Sequence, residues 1–99
     1  MITNDRVLET VFRAVDDVNR ARTNDLRVAR SLDTTLMGAG SVLDSLGLIN
    51  LIVAIEEQIE ETFGISISIT NGKARSQADG IFKTIGSLVE YIRFLLGKD

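Results

Sequence analysis

The stretch 44-DSLGLINLIVAIEEQIEETFG-64 decides the fold of this 99-residue chain. Asp44 is a good helix N-cap, because its carboxylate can accept an orphan amide of the first turn, and Gly64 suits the left-handed conformation that ends helices. No proline interrupts the run between them. Its front half is apolar nearly all the way round: Leu46, Leu48, Ile49, Leu51, Ile52, Val53 and Ile55 leave only Gly47 and Asn50 as exceptions. A helix packed on one side needs an apolar stripe, and this one carries a sleeve. The back half instead holds Glu56, Glu57, Glu60 and Glu61, like-charge i, i+4 pairs near the negative end of the helix dipole. Each pair costs roughly 0.2–0.5 kcal/mol, with no structural return visible in the sequence.

Upstream, Asn4 can cap a first helix, and Val7, Leu8, Val11, Phe12, Val15 and Val18 follow the i, i+3, i+4, i+7 template, which predicts a helix over residues 4–21. The connection 22–44 is longer than the roughly 12–15 residues at which structureless loops become uncommon, so it is expected to be functional or partly structured. Leu26, Ala29 and Leu32 suit one or two helical turns capped by Asp25, and Leu36, Met37 and Val42 are apolar enough to lie on the core. Gly38 and Gly40 punctuate the approach to Asp44. Downstream, ISISI (65–69) alternates like a strand but has no partner, so it is expected to be extended with its isoleucines packed inward. The turn dipeptide Asn71-Gly72 and the polar tract KARSQADG follow, with a short helix expected around Ser76 to Phe82. The last helix opens at Thr84, places Ile85, Leu88, Val89, Ile92 and Leu96 on one face, and stops at Gly97. The pattern predicts an all-α fold, a small three- to four-helix bundle with a long first loop, as one domain over residues 1–99.

A hydrophobic fraction of 44% and a charged fraction of 25% belong to a chain that folds. The absence of Cys and His removes disulfides, thiolate and imidazole metal sites, and the familiar nucleophile–base pairs. No enzyme activity is therefore expected, and no metal, since neither a Glu-x-x-His pair nor calcium-loop spacing occurs. The net charge of −3 gives no general grip on nucleic acid. Arg20, Arg22, Arg27 and Arg30 read as part of a mixed surface. The longest apolar run, LIVAI at 51–55, is far short of the roughly 20 residues of a membrane span. With no targeting segment visible, a cytoplasmic location is expected.

Ser45 is the candidate functional residue. A serine one step after an N-cap projects its hydroxyl where free amides and the helix dipole favour an anion, so a phosphodiester formed there would be stabilised by the helix it begins. Gly47 is expected to keep one side of that turn open. The Asp44-Ser45-Leu46 triplet, after a long glycine-containing loop and at the head of a helix ending in acids, resembles the acyl carrier proteins. The agreement continues in L-x-x-A-I-E-E from Leu51 to Glu57 and in K-T-I-G-S-L-V-E-Y-I from Lys83 to Ile92, and it spans most of the chain.

The resemblance implies a carrier and not a catalyst. A phosphopantetheinyl transferase would place 4′-phosphopantetheine from coenzyme A on Ser45, next to Asp44 and Leu46, and an acyl group would ride as a thioester on its thiol. Acyl-loading and acyl-using enzymes of fatty-acid, lipid or polyketide-type biosynthesis would be the partners. Leu46 and Val53 would be apolar docking contacts, and Glu56 and Glu57 would meet basic patches. The chain departs from general fatty-acid carriers at Val42, Gly47 and Asn50, in its long 65–81 segment and in its mild charge, which implies a specialised carrier. A core lined by Ile49, Ile52, Ile59, Ile85 and Val89 would shelter an acyl chain, at up to about 0.8 kcal/mol per methylene. Two other readings stay open: a peptidyl carrier of the nonribosomal type, and an unmodified helical adaptor. Equally, Ser45 can be an ordinary helix-start serine and the glutamates a solvated face.

Overall fold

Apolar residues at helical spacing build three long helices: α1 (Asn4–Asn19), α2 (Ser45–Phe63) and α4 (Ile85–Leu95), with a single-turn α3 (Ala78–Ile81) leading into the last. The structure is a computed structural model and describes residues 4–69 and 78–97. The fold is all-α, and among the described residues the one β feature is an isolated antiparallel bridge, Thr35 to Thr84. Asn71-Gly72 and most of the polar tract expected after it lie outside the described residues.

α1 packs along both α2 and α4, while α3 packs against α4. Its inner face, Val7, Val11, Ala14 and Val15, is fully buried. Leu51, Ile55 and Ile59 of α2 and Ile85, Leu88 and Ile92 of α4 are likewise without exposure and belong to the same core. Each such side chain contributes about 1.5–3 kcal/mol by leaving water. At the edges, Gln58 donates to Asp17 at 2.8 Å and Arg6 sits 5.3 Å over the Phe63 ring, both joining α1 to α2.

Both ends of α2 are as the sequence predicts. Asp44 is extended (φ −87°, ψ −177°) and its carboxylate accepts the Gly47 amide, while Gly64 is left-handed at φ 68°. α1 is shorter than expected: its backbone is already helical at Asn4, and after Asn19 it passes into a turn at Arg20 and Ala21. Asn19 explains the exit, because its amide donates to the Val28 carbonyl at 2.9 Å and accepts the Val28 amide at 2.8 Å, which pulls the chain back.

Between α1 and α2 several expectations are corrected. The only helical piece is the 3₁₀ turn Asn24–Leu26; Val28 and Leu36 are buried in the core, and Met37, as expected, and Leu43 pack half-buried against it. Leu26, Leu32 and Val42 are 47%, 48% and 37% exposed, because Asn19 fixes Val28 and backbone bonds fix residues 32–36, which sets the register of the side chains between. The segment after Gly64 forms no strand. Burial deepens along it: Ile65 faces water, Ile67 is half-buried and Ile69 is buried, so the isoleucines are not all packed inward as expected. The expected short helix is confined to Ala78–Ile81 within the described residues.

Candidate functional site

The start of α2 is positioned by a loop that closes on itself. Gly38 and Gly40 take φ of 87° and 92°, values that L side chains rarely adopt, and so let the chain reverse. Ser41 then fastens the turn: its hydroxyl donates to the Leu36 carbonyl at 3.0 Å and accepts the Leu43 amide at 3.0 Å. That places Asp44 and Ser45 beside an open cleft of about 130 Å³, whose lining includes buried Leu36 and half-buried Met37, Leu43 and Leu48.

Ser45 is exposed, and neither its hydroxyl nor its amide has a partner among the described residues. The Asp44 carboxylate serves the Gly47 amide at 2.7 Å, and the Asp44 carbonyl accepts the first helical bond from Leu48 at 2.9 Å. The amides of Asp44, Ser45 and Leu46 have no acceptor among the described residues, and all three residues are exposed. This end of α2 thus presents a primary hydroxyl, unpaired amide donors and the positive end of the helix dipole to solvent, with an apolar cleft alongside.

Gly47 does not leave a side open, contrary to the sequence reading. It is buried, and a Cβ placed there would come within 3.1 Å of Asp44 Oδ1, 3.2 Å of Leu43 Cδ2 and 3.3 Å of Arg22 Nη1. The loop and the Arg22 side chain fold over that face, which is why glycine suits the position.

The apolar sleeve of α2 divides into two faces. Leu51, Ile52, Ile55 and Ile59 are in the core, while Leu46, Ile49 and Val53 are 65%, 55% and 47% exposed. At 3.6 residues per turn these three share one stripe with Asn50, and exposed Glu57 continues it one turn beyond Val53. Ile49 therefore does not line the core as expected, whereas Ile52, Ile59, Ile85 and Val89 do. Leaving such side chains about half in water forgoes a corresponding part of the roughly 1.5–3 kcal/mol that full burial of each contributes.

Glu56 is set apart from Glu57. It is half-buried and its Oε2 accepts the Ile69 amide at 2.8 Å, so it anchors the segment after α2 and has the structural return that the sequence did not show. Glu57, Glu60 and Glu61 remain exposed. Three residues gain roles that the sequence does not show: Asn19, Ser41, and Arg22, which reads there only as part of a mixed surface. Of these only Ser41 carries a local signal, a hydroxyl two residues before the amide it accepts.

Among the described residues no group of His, Cys, Asp or Glu could hold a metal, and no helix is long and apolar enough to cross a membrane. No family model, no curated protein and no solved structure matches the chain.

Proposed function

We propose that this protein is a carrier whose Ser45 is loaded with 4′-phosphopantetheine, in the manner of the acyl carrier proteins it resembles. The observation that carries the reading is the unpaired Ser45 hydroxyl at the solvent-facing start of α2, among amides that nothing in the protein satisfies. The residues present fit the group. The open amides and the dipole favour a phosphodiester anion, and the neighbouring cleft offers Leu36, Met37, Leu43 and Leu48 to the arm. When bound, the arm supplies a thiol that can hold an acyl group as a thioester, a group this Cys-free chain cannot provide itself.

In the loading step Ser45 Oγ forms a bond to the pantetheine-side phosphorus of coenzyme A, and the phosphoanhydride bond breaks. The adenosine bisphosphate portion leaves, and the hydroxyl proton passes to a base on the transferase. The all-α bundle then serves as a holder of the acyl-carrier type. Leu46 and Val53, with Ile49 between them, form the apolar docking stripe for the transferase and for acyl-loading and acyl-using enzymes, and Glu57 supplies its acidic end. Glu56 joins that end only if its bond to Ile69 opens.

The test is to incubate the pure protein with coenzyme A and a broad-specificity phosphopantetheinyl transferase and to record the intact mass. A gain of one phosphopantetheinyl group, absent in Ser45→Ala, supports the carrier. No gain, or a gain that survives Ser45→Ala, discards it. The exposed stripe also suits a second reading, an adaptor that binds a partner through α2 and is never modified. Partner binding by the unmodified protein that is lost in Val53→Asp, with no mass gain, would establish that reading instead.

A further inference from the structure

We propose that Arg22 is the positioning residue of the Ser45 site: its guanidinium ties the long loop to the first turn of α2 and so holds Ser45 in place for loading. The inference rests on the carrier reading of Ser45 and adds to it a residue distant in sequence. Arg22 Nε donates to the Leu26 carbonyl at 2.6 Å, and Nη2 donates to the Val42 carbonyl at 2.9 Å. One side chain thereby joins the 3₁₀ turn to the residue two before Asp44. Both bonds are charge-assisted, and the planar fork of arginine spans two acceptors that a single point charge meets less well.

The third nitrogen makes the arrangement more than a clasp. Arg22 Nη1 points over Gly47, at 3.3 Å from where a Cβ would stand, on the same void that Asp44 Oδ1 borders at 3.1 Å. It has no acceptor among the described residues and Arg22 makes no ion pair there. Gly47 stands two positions from Ser45, on the other side of the first turn, so Nη1 packs the covered flank while the serine keeps the open one. The Asp44 carboxylate on the same void offsets the dipole's repulsion of this cation. Arg20 and Arg30 differ, since each is exposed and paired with an aspartate of α1, at 2.9 Å and 3.3 Å.

The experiment compares wild type, Arg22→Gln, Arg22→Lys and the charge-matched control Arg20→Gln in initial rates of pantetheine loading, over a range of carrier concentrations. Amide hydrogen exchange of the unmodified proteins is recorded beside it. Arg22→Gln should lower kcat/KM by roughly tenfold or more, the weight of a lost charge-assisted hydrogen bond. Arg22→Lys should recover part of that loss and Arg20→Gln should match wild type. Exchange at the bonded amides of Leu43, Gly47 and Leu48 should rise by about tenfold in Arg22→Gln, with exchange in the core of α1 unchanged. Loading of Arg22→Gln at the wild-type rate overturns the proposal, as does an equal loss in Arg20→Gln. If wild type is not loaded at all, the carrier reading falls by itself. Exchange then decides Arg22: faster exchange confined to Leu43, Gly47 and Leu48 upholds the tie, and unchanged exchange overturns it.

Discussion

α2 and α4 begin alike in sequence and differently in space. Each follows a capping side chain, Asp44 or Thr84, and each has a glycine in its first turn, Gly47 or Gly86. At α4 every amide of the opening turn is served. Thr84 and Ser87 form a reciprocal capping box, while the carbonyls of Thr34 and Leu32 accept from Ile85 and Gly86 at 3.0 and 2.9 Å. The loop from α1 to α2 thus lays its backbone across α4 and seals it, with Leu36 donating to the Lys83 carbonyl at 2.8 Å. At α2 the same loop closes only one flank, with side chains, and leaves Asp44, Ser45 and Leu46 amides open. A helix start is an anion site only where the fold declines to fill it, and here one loop fills one start and spares the other.

The contrast can be broken most sharply by exchanging the serines' fates. Ser45→Ala should abolish pantetheine loading outright, whereas Ser87→Ala, at the sealed helix, should load at the wild-type rate by intact mass; equal behaviour of the two would erase the distinction. Next in size is the packing of the two glycines. Gly86→Val drives a side chain onto the Leu32 carbonyl, which lies 3.1 Å from the Cβ position, and should cost about 1–3 kcal/mol in urea unfolding. Gly47→Ala meets only side-chain ends, and the better helix propensity of alanine offsets the crowding, so its stability should stay within about 1 kcal/mol of wild type. A smaller effect comes from the cap: Thr84→Ala should lower stability by about 1 kcal/mol, read as a lower urea midpoint at constant slope.

The smallest effect lies at the loop's own 3₁₀ turn. The Thr23 hydroxyl donates to Asp25 at 2.7 Å, and that bond, with the residue's own backbone amide, holds the Asp25 carboxyl below the ordinary carboxylate range. Any stability it lends is complete above the unfolded value and is lost as pH falls through the lowered one. Thr23→Ala should return the carboxyl toward the ordinary range in a carbon-detected titration, with α2 and α4 unaffected.

Much of the fold is legible because its signals are local. The apolar spacing in α1, the Asp44 and Thr84 caps, the Gly64 stop and the buried face of α4 each depend on residues within a turn or two. The isoleucines of 65–69 show where locality fails. Alternation alone suggests a strand, but with no partner strand the backbone follows Glu56 and the core, which take the Ile69 amide and its side chain and leave Ile65 outside. The loop shows the same. Leu26 and Leu32 look as apolar as Val28 and Leu36, and only the Asn19 clasp and the bonds onto α4 decide which pair turns inward.

By itself the sequence determined the three long helices, the ends of α2 and α4 and the serine at the head of α2, since periodicity and capping are properties of neighbouring residues. Tertiary structure alone decided that this serine stands open, that Gly47 is covered, that Arg22 reaches Val42 across 20 positions, and that half of the α2 sleeve stays in water. Backbone amides and carbonyls decide the first and third of those choices: unserved amides leave the Ser45 end open, and the Val42 carbonyl holds Arg22. Every residue but proline carries both, so no residue type in the sequence marks which of them will meet.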